Sequence, residues 1–451
     1  MPDPIIKIES LDMEARGVGH LPNEDGSPGK VIFVEGALPG ETVSFSSYRR
    51  KSKWEAARMT ALHSESALRV RPKCPWFGVC GGCAMQHIEP SAQVAAKQRV
   101  LEDNLAHIGR VRPELMLRPV HGPTWEYRYR ARFSVRRVVK KGGILIGFHE
   151  RKSGFITDML SCEVVPRHVS NLLPALRELI GSLSQPDKFP QIELAIGEHE
   201  GSRTTALVLR NMVPLVAQDE KALIAFAQAH QIDWWLQPAG PDSAFPFYPA
   251  QSRLRYTLPE FGIEMPFKPT DFTQVNHQIN RVLVATAVRM LDPQPNDRIA
   301  DLFCGLGNFS LPLARRSRAV VGFEGSASLT ARAAENAGHN GLSERVTFQT
   351  RNLFELQAQD LAEMGKFDRF LIDPPRDGAA AVCEALAALK GSNPELRPKR
   401  IVYVSCSPST LARDAGTLVR EAGYALRQAG VVNMFPHTAH IESIALFELV
   451  D

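Results

Sequence analysis

Two side chains in the last part of the chain have types that carry covalent chemistry. Cys406 follows an apolar run and precedes Pro408, which forces the chain to turn. A thiol placed where an apolar strand ends is a candidate nucleophile. Glu442 lies downstream, and Asp373 ends another apolar run before two prolines. Because covalent catalysis of this kind also needs a proton acceptor, the pattern indicates a thiol nucleophile served by a carboxylate.

A second set of residues predicts a site for a nucleoside cofactor. An apolar run leads into a loop with Gly305 and Gly307, which allow backbone to approach a ligand closely. Glu324 ends the next apolar run, where a carboxylate can accept both ribose hydroxyls of an adenosine. The third glycine of the dinucleotide fingerprint is absent, which disfavours NAD. With Asp-Pro-Pro at 373–375, the segment resembles class I S-adenosylmethionine methyltransferases.

Four cysteines have the spacing of a metal-binding group. Cys74, Cys80 and Cys83 lie close together, and Cys162 follows at a distance. Four thiolates suit zinc or a [4Fe–4S] cluster. Zinc ribbons usually contain two Cys-x-x-Cys pairs, whereas this segment contains one. The spacing therefore favours an iron–sulfur cluster, with zinc or ordinary buried thiols as the alternatives.

Composition limits the class of protein. The chain has 451 residues, of which 44% are hydrophobic and 23% charged, so we expect a globular protein of two or three domains. No apolar run is long enough to span a membrane, and the N-terminus does not resemble a signal peptide. We therefore expect a cytoplasmic protein without disulfides. Cys304 and Cys383 have no partner nearby in sequence and are predicted to be packing residues.

Basic residues are concentrated in two segments, although the net charge is only +4. Between Arg110 and Lys141, ten residues are Lys or Arg and only two are acidic. Within this segment, arginines alternate with apolar residues at the period of a strand; they are Arg128, Arg130, Arg132 and Arg136. A second basic cluster at 49–53 precedes Trp54. Both segments favour contact with nucleic acid phosphates, and a solvent-facing strand and loop are the alternative.

The chain divides into three regions of different pattern. Residues 1–65 alternate short apolar runs with glycine turns, which predicts a small β-barrel. Residues 66–265 form a central α+β domain with the cysteine group and the basic strand. Residues 266–451 alternate strand and helix, which is typical of a doubly wound parallel sheet. The expected fold class is α/β, with a Rossmann-like C-terminal domain.

Across nearly its whole length, the chain resembles the RNA uracil-5-methyltransferases. The resemblance rests on segments in all three regions, which are residues 17–20, 33–41, 74–83, 272–276, 301–308, 373–376 and 405–406. Within this family, the barrel and the cysteine segment together are similar to the members that act on 23S rRNA. Ser407 departs from the family pattern, where Asn or Asp is more usual.

The resemblance implies roles for individual residues. It implies Cys406 as the nucleophile and Glu442 as the proton acceptor. It implies a [4Fe–4S] cluster on Cys74, Cys80, Cys83 and Cys162. It implies S-adenosylmethionine contacts at Gln274, Phe303, Asn308, Glu324, Asn352 and Asp373. It also implies a TRAM barrel at 1–65, a looped segment of 23S rRNA as the partner, and action as a monomer without a membrane.

The chemistry of uracil explains why such residues are needed. Carbon 5 is a weak nucleophile until a thiolate adds to carbon 6, and a base must then remove the carbon 5 proton. The target base must also leave its stack to reach the thiol. A tRNA uracil-5-methyltransferase and a non-catalytic iron–sulfur RNA-binding protein are the alternatives. The presence of Cys406, Glu442 and Gln274 counts against the second.

Overall fold

The structure, a computed structural model, describes residues 3–23, 25–199 and 201–450. It contains two six-stranded sheets, a two-stranded sheet and an eight-stranded sheet. Within the described ranges, no helix combines the length and apolar character needed to cross a membrane.

The N-terminal region forms the first six-stranded sheet. Its strands are β1 (Ile5–Lys7), β2 (Ser10–Leu11), β3 (Gly17–Pro22), β4 (Pro28–Glu35), β5 (Thr42–Arg50) and β6 (Trp54–Ser64). Their order is β1-β5-β6-β4-β3-β2, and β4 and β6 are the parallel pair. Ile32 and Val34 are fully buried while their neighbours are less so. The short strands predicted for this region are therefore present, and their alternating burial is typical of strands with one face in a core.

The central region contains the second six-stranded sheet, of order β13-β12-β11-β10-β8-β9, and a hairpin of β14 and β15. Its elements are α1 (Pro90–Asn104), β7 (Leu115–Met116), β8 (Arg130–Val138), β9 (Gly143–Gly147), α2 (Arg167–Ser170), α3 (Leu173–Ser182), β10 (Gln191–His199), β11 (Ser202–Arg210), α4 (Ala217–His230), β12 (Asp233–Gln237), β13 (Phe245–Tyr248), β14 (Leu254–Leu258) and β15 (Ile263–Phe267). The apolar face of α3, with Leu173, Leu176 and Ile180, is buried in the core beside this sheet.

The C-terminal region alternates strands and helices, as predicted. Its elements are α5 (His277–Leu291), β16 (Arg298–Leu302), α6 (Ser310–Ala314), β17 (Ala319–Glu324), α7 (Ala327–His339), β18 (Val346–Thr350), α8 (Ala358–Met364), β19 (Arg369–Ile372), α9 (Ala380–Ser392), β20 (Arg400–Ser405), α10 (Pro408–Arg420), β21 (Tyr424–Val432) and β22 (Glu442–Leu449). The sheet order is β18-β17-β16-β19-β20-β22-β21-β7, with five adjacent parallel strands from β18 to β20. The chain reverses direction across the sheet between β16 and β19, which leaves a crevice at their carboxyl ends.

Part of this sheet comes from the segment at the start of the central region. β7 pairs in parallel with β21, and Val100 and Leu101 of α1 lie in the same apolar core as Leu418 of α10. The C-terminal sheet therefore uses chain from both sides of the expected boundary at residue 265.

Candidate active site

One cavity of about 530 Å³ opens at the carboxyl ends of β16, β17, β19 and β20. It brings together all eight side chains predicted for catalysis and cofactor binding, which are Gln274, Phe303, Asn308, Glu324, Asn352, Asp373, Cys406 and Glu442. A crevice where the strand order reverses is the usual ligand site of an open α/β sheet.

The reactive end of the cavity holds Cys406 and Glu442. Cys406 directly follows β20, and Glu442 begins β22, the antiparallel neighbour of β20. Burial raises the pKa of the Cys406 thiol to about 11, and the nearby carboxylates of Glu442 and Asp373 act in the same direction. Arg376 opposes them. The thiol is thus a weak acid in the free protein, and additional positive charge beside it would favour its ionisation.

The carboxyl of Glu442 is buried, with an exposed fraction of 3%. Burial raises its pKa well above the usual range, and the neighbouring Asp373 raises it further. Burial also raises the pKa of Asp373 to about 7. Since a carboxylate of raised pKa is a stronger base, this environment suits Glu442 to accept a proton.

The cofactor end is shaped by the loop after β16. Phe303, Gly305 and Gly307 have positive φ angles of 66°, 53° and 89°, and the two glycines adopt them without the cost that a Cβ brings. The Gly305 N–H donates to Glu324 Oε2 at 3.2 Å, and the Ser326 N–H donates to Oε1 at 3.1 Å. These bonds fix a carboxylate at the cavity wall, where ribose hydroxyls can donate to it.

The two predicted asparagines are also held in place. Asn308 Oδ1 accepts from the Tyr256 hydroxyl at 2.8 Å, and Asn308 exchanges two bonds of 3.0 Å with Asn280. Asn352 Oδ1 accepts from the Phe354 N–H at 3.1 Å. Neither Tyr256 nor Asn280 belongs to a recognisable motif, so the sequence alone does not predict their part in the site.

The four predicted metal ligands line a second, smaller cavity of about 200 Å³, which contains Cys74, Cys80, Cys83 and Cys162. All four are free thiols. Burial raises the pKa of Cys83 to about 12 and that of Cys162 to about 11. The Gly82 N–H lies 3.4 Å from the Cys80 sulfur. Within the described part of the chain, no group of three or more His, Cys, Asp or Glu side chains is arranged to hold a metal ion.

The remaining two cysteines are both buried. Cys383 lies in an apolar core of the C-terminal region, which confirms its prediction as a packing residue, whereas Cys304 lines the active-site cavity.

The predicted arginine face is partly wrong. Strand β8 has the expected alternation, with Ala131, Phe133 and Val135 buried. However, the Arg130 guanidinium turns inward and donates to the backbone carbonyls of Asp271 and of Pro269, the latter at 2.7 Å. It thereby holds the loop that leads to Gln274, and it is unavailable for phosphate.

Arg132 and Arg136 are more accessible, whereas Arg128 is half-buried, donates through Nε to the Arg130 carbonyl at 2.9 Å and lines the cavity of the four cysteines. Arg136 is exposed, whereas Arg132 pairs with Glu193 at 2.9 Å and keeps 66% of its side chain exposed. The N-terminal basic cluster is exposed at the turn between β5 and β6, and the Arg49 guanidinium lies 5.3 Å from the Trp54 ring.

Comparisons with known proteins agree with this site. The family model described as tRNA (uracil-5-)-methyltransferase matches residues 255–449. A protein of Cupriavidus metallidurans named 23S rRNA (uracil(1939)-C(5))-methyltransferase RlmD is 63% identical over 446 residues, which are 99% of this chain and 95% of that protein. A protein of Ralstonia pickettii with the same name is 62% identical and covers 98% of both chains.

A solved structure shares the fold. The crystal structure of Pyrococcus abyssi tRNA (uracil-54, C5)-methyltransferase in complex with S-adenosyl-L-homocysteine superimposes with a TM-score of 0.71 and 22% identity, over 98% of this chain and 100% of that one. The C-terminal sheet is therefore that of a class I methyltransferase. The chain belongs to the RNA uracil-5-methyltransferase family. Within that family, it groups with the proteins named RlmD.

Proposed function

We propose that this protein methylates carbon 5 of a uridine in 23S rRNA, with S-adenosylmethionine as the methyl donor. The observation that carries the proposal is the single cavity in which a strand-end thiol, a buried carboxylate and a cofactor loop meet. The relatives named for uracil 1939 of 23S rRNA match this chain over nearly its full length, so we propose the equivalent uridine as the target.

The reaction begins at Cys406. Its thiolate adds to carbon 6 of the flipped uracil, and the electron pair of the 5,6 double bond moves toward the ring carbonyl as an enolate. Carbon 5 then bonds to the methyl group that bound S-adenosylmethionine would supply; the methyl–sulfur bond breaks, and its electron pair stays on S-adenosylhomocysteine, the leaving group. Glu442 accepts the proton of carbon 5, the double bond reforms, and the bond between carbon 6 and sulfur breaks to return the thiolate. No oxidant or reductant is needed.

The cavity residues divide between cofactor and base. The Glu324 carboxylate suits the ribose hydroxyls of the adenosine, and the Asn352 side chain suits the edge of its adenine. Backbone N–H groups hold both side chains in place. Asn308, Phe303, Gln274 and Asp373 complete the cofactor contacts. We propose that Arg376 lies between the two ligands, because it lines the cavity and its charge favours the Cys406 thiolate.

We also propose that Cys74, Cys80, Cys83 and Cys162 hold a [4Fe–4S] cluster. The observation in support is that four free thiols from distant segments line one small cavity. The sequence spacing, with one Cys-x-x-Cys pair instead of the two usual in zinc ribbons, favours the cluster over zinc. Such a cluster would tie residues 74–83 to the segment around Cys162.

We assign RNA binding to the two regions that precede the catalytic domain. We propose that residues 1–65 form a TRAM barrel that contacts RNA through the exposed cluster at 49–53 and Trp54. We propose that residues 66–265 present the cluster domain and the exposed Arg136 to the same RNA, and that residues 266–451 carry the catalytic site. A single chain supplies all eight predicted catalytic and cofactor residues to the cavity, so we propose that the protein acts as a monomer. A ribosomal RNA substrate supports a cytoplasmic location.

The decisive experiment offers the purified protein unmodified 23S rRNA and unmodified tRNA with methyl-labelled cofactor, and then maps the labelled nucleotide. The proposal expects label on carbon 5 of one uridine in 23S rRNA. Label on tRNA alone would show that tRNA, and not 23S rRNA, is the substrate. No label on either RNA would overturn the proposal.

A further inference from the structure

The loop of residues 433–441 connects β21 to β22 and delivers the chain to Glu442. It touches both cavities described above. Phe435 lines the cavity of Cys406 and Glu442, whereas Thr438 and His440 line the cavity of the four cysteines. His440 Nδ1 also lies 3.1 Å from a guanidinium nitrogen of Arg376. This loop therefore leads directly into the proton acceptor, whose backbone also pairs with Val432 of β21.

A buried lysine from another part of the chain holds this loop. Lys97 lies on α1, is 2% exposed, and donates through Nζ to Asn433 Oδ1 and to the Phe435 carbonyl, each at 2.8 Å. Both of these partners belong to the loop. Burial without a paired carboxylate lowers the pKa of Lys97 to about 7. A buried amine with such partners is costly to keep, which indicates that the bonds it makes are needed.

Neighbouring contacts show that α1 serves as the support. Gln93, one turn before Lys97, accepts from the His437 N–H at 2.9 Å, and its amide lies 3.0 Å from His437 Nδ1. Residues four apart lie on the same face of a helix. The His437 ring stacks on Trp125 with centroids 3.8 Å apart. These contacts fix the middle of the loop, while Lys97 fixes the end that faces the reactive cavity.

We propose that Lys97 is a positioning residue that holds Phe435 and Glu442 against the target base, so that the carbon 5 proton can be removed. The inference rests on the proposed function. It concerns one step, because thiol addition and methyl transfer use Cys406 and the cofactor loop, which Lys97 does not contact. Loss of the Lys97 contacts should therefore slow elimination more than methyl transfer.

The test is a single-turnover reaction of Lys97→Met with an unmodified 23S rRNA fragment and methyl-labelled cofactor. Denaturing gels separate free methylated RNA from the covalent protein–RNA adduct. We expect methyl incorporation within about twofold of wild type and decay of the adduct slowed about tenfold or more. Affinity for S-adenosylhomocysteine should not change. Arg99→Met, on the exposed side of the same helix, is the matched control and should behave as wild type.

Equal slowing of adduct formation and decay, or wild-type decay, would overturn the proposal. If Lys97→Met fails to fold, the same measurement on Lys97→Gln tests the proposal. Glutamine keeps a donor but is too short to reach both loop oxygens, so adduct decay should again slow, and wild-type decay would overturn the proposal. Absence of methylation by the wild-type protein would instead contradict the proposed function, which keeps the two failures distinct.

Discussion

Cys406 and Glu442 occupy facing positions on adjacent antiparallel strands, one step beyond the registered pair of Ser405 and Ser443. A helix and a strand, α10 and β21, separate them in sequence. The register of β20 against β22 therefore delivers the nucleophile and the proton acceptor to one end of the sheet. A shift of one residue would turn one of the two side chains to the opposite face.

Replacement of Cys406 by alanine should abolish methyl transfer, since carbon 5 stays unactivated without addition at carbon 6. S-adenosylhomocysteine should still bind within about twofold of wild type, because its contacts lie elsewhere in the cavity. Calorimetry and a labelled-methyl assay measure the two effects. Ser409→Ala, a neighbouring change on α10, should retain activity. Turnover near wild type in Cys406→Ala would remove this thiol from the mechanism.

Replacement of Glu442 by glutamine should accumulate the covalent protein–RNA adduct. Addition and methyl transfer need no proton acceptor, whereas elimination does. A denaturing gel should show a shifted band that carries the methyl label, and free product should form at least about a hundredfold more slowly. Normal product release without a shifted band would show that a group other than Glu442 accepts the carbon 5 proton.

Protein purified without oxygen should be brown and contain about four irons per chain, as a [4Fe–4S] cluster on four cysteines requires. Cys162→Ser should lose most of the iron and the visible absorbance. Cys383→Ala, which removes a thiol buried in α9, should retain both. Loss of the cluster should weaken RNA binding more than cofactor binding. Stoichiometric zinc in a colourless protein would contradict the cluster assignment.

Arg130 and Arg132 should have different effects although they lie two residues apart on β8. Arg130→Met releases the carbonyls of Pro269 and Asp271, so affinity for S-adenosylhomocysteine should fall about fivefold or more as the Gln274 loop loosens. Arg132→Ala should leave that affinity unchanged. If Arg132 contacts phosphate, its loss should lower the slope of RNA affinity against salt by roughly 0.7 to 1. Equal cofactor affinities for both variants would contradict the assignment of Arg130.

The free energy of unfolding should fall as the pH rises because the folded protein holds the proton of Asp301 more tightly than the unfolded chain does. Burial raises the pKa of Asp301 from 3.8 to about 7, Asp373 and Glu324 add to the effect, and a bond from Ser310 opposes it. Between these two values the unfolded chain releases the proton while the folded chain keeps it, so the free energy of unfolding falls over that window. Asp301→Asn removes this dependence.

Thermal melts test this prediction. The melting temperature of Asp301→Asn relative to wild type should rise by roughly 4 °C or more between about pH 4.5 and pH 7.5. Asp103→Asn changes an exposed acid of α1 and is the matched control, for which the difference should stay constant. A constant difference for Asp301→Asn as well would show that its carboxyl ionises at its ordinary pH in the folded protein.

The apolar runs before the Gly305 loop, up to Glu324 and before Cys406 predicted strands β16, β17 and β20, because buried parallel strands are continuous apolar runs that end at turn residues. The motif residues could be predicted for the same reason, since the carboxyl ends of such strands meet at one edge. The sequence pattern of β8 also predicted correctly that Ala131, Phe133 and Val135 are buried. In each case the signal is local.

The residues that hold the site could not be predicted in this way. Arg130 has the pattern of a solvent-facing strand residue, and its partners, such as Asp271, are far away in sequence. Lys97 lies on a helix without a strong apolar face, and its partners Asn433 and Phe435 come near the end of the chain. Both roles depend on long-range packing, which a single sequence does not encode in any local pattern.

The pairing of β7 with β21 has a consequence for biosynthesis. Because domains fold largely in the order in which they leave the ribosome, β7 and α1 are made long before the strand and helix on which they pack. Their apolar surfaces therefore remain uncovered until the last part of the chain has been synthesised. A fragment that starts after the central domain would expose the edge of β21 and invite aggregation, so a compact catalytic half for structural work must retain residues 90–120.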